Sequence, residues 1–372
     1  MKKIFFVDNS IRCFCLFRLS AAKAFKQIGY EIWVLTPESE SIYINLILNE
    51  GIKHLSYKMS SKFSPIQDIK LLLLFRNLYK RLKPDYIFHY TIKPNIYGTL
   101  AAKLCSIPSV AIVPGTGSVF QNKGIISYVV VLLCRFAFKF PDKIWVLNKD
   151  DYKAFLSNNI VRLDKIEILP SEGIDLNYYK SNEIYCKHKP FVFLYMGRML
   201  KEKGLEYIIE AAKLLRSRGH FDFEIHLLGL TDGLSKDVIP IETIKIWEKE
   251  KYIKFLGSVL DVRNNIEQSD CVLLPTFYGE GAPRSLMEAC AMERIVIATD
   301  NVGCRDIVDD GINGFFCKVK DKNDLADKME YVLLMPETDV KKMGINGKLK
   351  MQQEFEETII INKYLSHIQN NI

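Results

Sequence analysis

Two acidic residues, Glu280 and Glu288, stand eight positions apart in the segment GEGAPRSLMEACA. Upstream, residues 197–204 read GRMLKEKG, follow an apolar run, and carry two cations, Arg198 and Lys203, on one short loop. A carboxylate accepts hydrogen bonds from two adjacent hydroxyls, the usual way ribose and hexose diols are held. Cations beside a helix N-terminus suit a diphosphate, because backbone N–H groups point there too. The four side chains together imply a nucleotide-sugar pocket, with cations for the diphosphate and carboxylates for the hydroxyls. Gly281 and Pro283 shape the turn around Glu280, so backbone amides can face a ligand. Glu288 lies among Leu286, Met287, Ala289 and Ala291, which favours a site role over an exposed helix position.

Other chemistries find less support. The 197–204 loop is not a Walker loop, since GxxxxGK[ST] does not occur, and no GxGxxG follows the first strand, so a nicotinamide cofactor is not expected. The nine cysteines and six histidines show no ligand spacing, and no zinc site is expected. Cys13 and Cys15 are the only close pair; on a strand they would point the same way. An odd cysteine count with no evident secretory signal implies reduced thiols in a cytoplasmic setting.

The elements that must position these residues alternate. Short apolar strands are predicted at 4–8, 30–36, 52–57, 85–90, 109–114, 143–148 and 165–170, with helical patterns at 16–29, 66–84 and 97–107. Residues 178–190 lack periodicity and are read as a linker, dividing a first domain, 1–184, from a second, 185–354, that holds both motifs. Alternation then resumes with strands at 191–197, 223–229, 253–257, 271–275, 295–300 and 314–318. Helices are predicted at 204–218, 284–292 and 324–335, and a last one, 355–368, is expected to pack back on the first domain. Strands separated by helices indicate two doubly wound, Rossmann-like α/β domains, expected to face each other across a cleft, with ligands at the carboxyl ends of the strands.

Charge is uneven along the 372 residues: 1–185 carry 25 Lys+Arg against 15 Asp+Glu, net +10, and the remainder 26 against 29, net −3, which sum to the overall +7. A basic first half points to an anionic partner, a membrane surface or lipid-linked diphosphate, rather than nucleic acid, whose recognition motifs do not occur. The longest apolar run, residues 125–140, is interrupted by Arg135 and falls short of the roughly 20 residues of a spanning helix. It reads as a buried helix with one face available to a membrane surface.

With both motifs in this order, the chain resembles the retaining glycosyltransferases of family four, which have the GT-B architecture. VLNKDD (146–151), ILPSEGID (168–175), KFLGSVLDV (254–262), SDCVLLP (269–275) and GCRDIVDDGINGF (303–315) extend the likeness over almost the whole chain. KPNIYG (93–98), GTGSVF (115–120) and PRSLMEA look closest to bacterial enzymes that extend undecaprenyl-diphosphate-linked sugars. The resemblance makes Arg198 and Lys203 a diphosphate clamp, gives Glu288 the ribose hydroxyls, and puts Glu280 at the transferred sugar. It further implies donor contacts at Gly197, Gly257, Gly281, Ala282, Pro283 and Arg284, and acceptor contacts at Ser10, Arg18, Lys93, Asn95 and Thr116.

The implied activity is metal-independent, retaining transfer of a hexose or N-acetylhexosamine from a UDP-sugar. The acceptor would be a polyprenyl-diphosphate-linked glycan at the inner membrane face, in O-antigen or capsule assembly. A UDP-sugar epimerase of the same architecture and a non-catalytic sugar-nucleotide-binding subunit are the rival readings. Two departures stand out. The glycine pair usual after the first strand is replaced by VDNSIRCFCLFR, and Pro114 stands where many members carry a histidine. His89 ends a different strand and is read as structural.

Overall fold

Apolar runs too short for helices, punctuated by amphipathic helical stretches, become two parallel sheets. The computed structural model describes residues 1–37, 41–60, 64–115, 124–181, 185–231 and 237–371. The first sheet contains β1 (Lys3–Val7), β2 (Glu31–Pro37), β3 (Lys53–Tyr57), β4 (Tyr86–Tyr90), β5 (Ser109–Val113), β6 (Lys143–Val146) and β7 (Ile166–Ile168), in the order β3-β2-β1-β4-β5-β6-β7. The second contains β8 (Phe191–Met196), β9 (Phe223–Leu228), β10 (Lys254–Phe255), β11 (Cys271–Leu274), β12 (Ile295–Thr299) and β13 (Gly314–Cys317), in the order β10-β9-β8-β11-β12-β13. Every pairing is parallel. Helices cover both faces of such sheets, so the central strands are apolar throughout rather than alternating. β4, β5, β8, β11 and β12 are buried at every residue.

Contacts divide the chain into one unit of Met1–Gly173 with Glu357–Ile372 and a second of Ile174–Glu356. The division falls earlier than the 184/185 boundary read from lost periodicity. Ile174, Tyr179 and Tyr185 are core residues of the second unit, and the Tyr185 hydroxyl donates to Asp270 Oδ1 at 2.7 Å. The final helix, Glu357–Asn371, belongs to the first unit, where Ile360, Tyr364 and Ile368 are buried. Tyr364 stands edge-on to Trp145, ring centroids 5.0 Å apart, and its hydroxyl lies 2.8 Å from that of Tyr90.

Alternation along β1 sends Phe5 and Phe6 to opposite faces, each into its own core. On the Phe5 side, His89 is fully buried, with Tyr79 Oη 3.0 Å from Nε2 and Thr99 Oγ1 3.4 Å from Nδ1. Burial pushes its pKa down to about 3, so the ring is neutral.

Two local differences from the sequence reading have plain causes. The helix expected over 16–29 is Leu19–Gln27, and a separate short helix, Ile11–Phe17, precedes it, where Ser10 caps by accepting the Cys13 N–H at 3.2 Å. Cys13 and Cys15 therefore sit on a helix and point apart. A helix not anticipated, Glu337–Lys350, contains Gly344 and Gly347, poor helix formers on propensity. A Cβ on Gly344 would lie 2.1 Å from the Glu293 carbonyl, so glycine there permits close packing behind the Arg284–Ala291 helix.

Candidate active site

In the second unit the loops after β8 and β11 meet. Gly204 has φ 81°, and a Cβ there would sit 2.0 Å from the Pro275 carbonyl oxygen, so only glycine fits. The Lys201–Lys203 turn is thereby held against the end of β11. Phe277 N–H donates to the Glu202 carbonyl at 2.9 Å, and Thr276 Oγ1 lies 3.2 Å from the same oxygen. Lys203 then reaches Glu280, with the two side chains 14% and 11% exposed. Thr276 Oγ1 donates to Glu280 Oε1 at 3.1 Å, and the Lys203 ammonium lies 5.3 Å from the Tyr278 ring centroid.

Arg198 is exposed, and its backbone is fixed by Tyr195, whose hydroxyl donates to the Arg198 carbonyl at 2.8 Å. Burial raises the Tyr278 pKa, Glu280 raises it further, and Arg198 lowers it. Lys203 and its partner Glu280 thus stand at Tyr278, on loops that also carry Arg198. An ammonium has three donors. Among the described residues the Glu280 contact is the one hydrogen bond of the Lys203 ammonium, which leaves capacity for a phosphate oxygen.

The turn after Glu280 is pinned from below. Asn301 Nδ2 donates to the Thr276 and Tyr278 carbonyls at 3.2 and 2.9 Å, and a Cβ on Gly303 would lie 2.7 Å from the Glu280 and Gly281 carbonyl oxygens. Pro283 then opens the Arg284–Ala291 helix. One turn along, Arg284 Nε donates to Glu288 Oε1 at 3.1 Å. Burial raises the Glu288 pKa; Arg284 and a hydrogen bond from Tyr179 work against the rise. Burial likewise disfavours the Arg284 charge, but Glu288 and Tyr179 more than offset it. A carboxylate so held is a fixed acceptor for paired hydroxyls. Gly197 and Gly257 end β8 and β10 at the same edge, joined through Gly229, whose N–H donates to the Gly257 carbonyl at 2.7 Å. Ala282 is partly buried against the second-unit core.

The first-unit residues read as acceptor contacts fare differently. Arg18 is 3% exposed, 3.0 Å from Asp8 Oδ2 and 2.7 Å from Glu172 Oε1, with its guanidinium carbon 4.2 Å from the Tyr90 ring centroid. Lys93 pairs with Asp68 at 2.6 Å, both nearly buried. Asn95 Nδ2 donates to the Ile112 carbonyl at 2.7 Å. These three are engaged inside the unit, and an acceptor contact through an exposed Arg18 or Lys93 charge has no support here. Ser10 is the helix cap described above, and Thr116 lies outside the described residues.

Tyr179, Thr276, Tyr278 and Asn301 are site supports that the sequence reading did not single out. Tyr179 fell in the stretch taken as a linker, where no periodicity marks it.

Comparison with known sequences decides the family. The profile of the family described as Glycosyl transferases group 1 matches residues 180–350, and that described as Glycosyl transferase 4-like matches residues 3–148. The chain is a glycosyltransferase whose residues 180–350 belong to group 1. This glycosyltransferase has the GT-B fold class, two Rossmann-like parallel-sheet units. It is 26% identical to the N,N'-diacetylbacillosaminyl-diphospho-undecaprenol alpha-1,3-N-acetylgalactosaminyltransferase of Campylobacter jejuni, over 94% of this chain and 93% of the relative. It is 25% identical to the UDP-Gal:alpha-D-GlcNAc-diphosphoundecaprenol alpha-1,3-galactosyltransferase of Escherichia coli, over 87% of each. The Anabaena protein HepE, solved with UDP and glucose, shares its fold with TM-score 0.82 at 19% identity, covering 99% of this glycosyltransferase and 100% of that chain. A Rickettsia africae glycosyltransferase does so with TM-score 0.81 at 19% identity, covering 100% and 98%.

Proposed function

We propose that this glycosyltransferase moves a hexose or N-acetylhexosamine from a UDP-sugar to an undecaprenyl-diphosphate-linked glycan, with retention and without a metal, in surface polysaccharide assembly. The observation that carries the reading is the Lys203–Glu280 pair, joining the loop that also carries Arg198 to the loop before the Arg284–Ala291 helix, in which Glu288 is held by Arg284 and Tyr179. The printed substrates of the Campylobacter and Escherichia relatives support the lipid-linked acceptor.

In this scheme Glu288 accepts from the ribose hydroxyls, and Glu280, oriented by Lys203, accepts from hydroxyls of the transferred sugar. Arg198 and Lys203 face the diphosphate, where charge grows as the bond from the anomeric carbon to the phosphate oxygen breaks. Preorganised donors aimed at developing charge commonly supply the largest share of rate enhancement. The acceptor hydroxyl forms its new bond on the same face of the sugar, and its proton passes to the departing phosphate oxygen. Such an acceptor places the enzyme at the inner face of the membrane.

The test is a panel of UDP-sugars incubated with the enzyme and an undecaprenyl-diphosphate-linked glycan, with UDP release followed. One donor should give release that depends on the acceptor. Release at the same rate with water alone, or transfer only to acceptors without the lipid diphosphate, would reject the assignment.

A further inference from the structure

Three helices, Pro65–Leu82, Thr99–Leu104 and Ile125–Ala137, cover the Phe5 side of the first sheet. Their inward side chains, such as Phe75, Ala101 and Val130, join the core there. Many of their outward side chains are apolar too. On Ile125–Ala137, Ile125 is 85% exposed, Tyr128 64% and Phe136 53%, and with Val129 and Leu132 they recur at helical spacing as one stripe. Ile66, Ile69 and Leu73 form a second exposed stripe on Pro65–Leu82, and Leu104 is exposed at the end of the short helix. A water-facing helix ordinarily turns polar residues outward. Two parallel-period apolar stripes on one layer form a patch of the kind that marks an interaction surface.

Charge names the partner. These helices carry Lys70, Arg76, Lys80, Arg81, Lys103 and Arg135, and their one acid, Asp68, is buried against Lys93. A second copy of the same face would set cations against cations. An anionic bilayer answers both properties, taking apolar side chains at the headgroup–acyl boundary and cations at the phosphates. Among the described residues no helix is long and apolar enough to cross a membrane, so the contact lies in the surface plane.

We infer that this helix layer is the face by which the first unit lies on an anionic bilayer. The inference rests on the membrane-side reading above for its setting, and its assay uses no sugar donor. The full chain is sedimented with vesicles of mixed phosphatidylglycerol and phosphatidylcholine, or of phosphatidylcholine alone, over rising salt. It should bind the anionic vesicles and release as salt rises. Replacing Lys80, Arg81 and Lys103 by Gln should weaken binding by about 100-fold, at about 1 kcal/mol per basic residue, and flatten the salt dependence. Replacing Ile125, Tyr128 and Phe136 by Ser should also weaken binding at least tenfold while leaving the salt dependence in place. Both sets are exposed positions, and unchanged thermal melting confirms that the fold stands.

Equal binding to neutral and anionic vesicles, or unchanged binding by both variants, would overturn the inference. So would a dimer in sedimentation equilibrium that the Ser variant dissolves, since a second copy would then be the occupant. UDP release with a detergent-dispersed acceptor should match the parent in both variants, so failure of the transfer assignment and failure of this one are read separately.

Discussion

Lys203→Ala should damage stability and turnover by amounts that a second substitution pulls apart. The Lys203 and Glu280 side chains are 14% and 11% exposed, so the pair is largely withdrawn from solvent. Removing one member of a buried pair leaves the other charge uncompensated, at about 3 kcal/mol. Thr276 still donates to Glu280 and sets a floor under that loss. For a unit of this size, 1 kcal/mol moves Tm by about 2–4 °C, so the variant should melt about 6–12 °C lower and remain folded at 25 °C. Losing a donor aimed at the departing diphosphate should lower kcat/KM by about 100-fold or more, equivalent to about 2.7 kcal/mol of transition-state stabilisation. Lys203→Met combined with Glu280→Gln removes the lone buried charge and should recover most of the lost Tm. Turnover should stay low in that double variant. Thermal melting and UDP release, measured on the same preparations, decide the matter. Recovery of kcat/KM alongside Tm would mean that Lys203 only braces the loop, and the diphosphate role would be withdrawn.

Tyr179→Phe removes the hydroxyl that holds Glu288 and should raise KM for the donor by about tenfold, the size of one hydrogen bond to a charged group, with kcat little changed; an unchanged KM would remove Tyr179 from the donor site. His89 has a folded pKa of about 3, below its unfolded value near 6.5, so the stability it contributes is intact above about pH 6.5 and is lost as pH falls towards 3. At pH 5 that loss is about 2 kcal/mol, and His89→Gln should flatten the corresponding part of a melting-temperature profile relative to the parent; parallel profiles would contradict a neutral buried ring. Transfer should persist after treatment with EDTA, because the cation pair is assigned the work of neutralising the diphosphate; loss of activity with rescue by Mn²⁺ would refute the metal-free scheme.

Much of this was readable from residue types, and the failures share a cause. Strand positions could be read because buried parallel strands are apolar runs bounded by polar turns, and β8 and β11 carry that signature without ambiguity. The loops that carry Gly204 and Glu280 could be located because they follow such runs. Arg18 and Lys93 were not, since a cation on a strand-to-helix connection looks alike whether it meets a ligand or an internal acid. The acid that Arg18 meets, Glu172, is 154 positions away. The Glu337–Lys350 helix was hidden by its two glycines, whose purpose is visible only against the neighbouring helix. Tyr179 went unnoticed because one aromatic in an aperiodic stretch has no pattern to belong to.

The return of the Glu357–Asn371 helix to the first unit also sets an order of completion during synthesis. The half made first is finished last. Until residues 357–371 leave the ribosome, Phe88, Tyr90 and Trp145 wait without Ile360, Tyr364 and Ile368 over them. The second unit, contiguous from Ile174 to Glu356, has all its sequence before then. A nascent chain halted just before Glu357 therefore shows one closed half and one half with an open aromatic face, the kind of surface that chaperones and proteases act on.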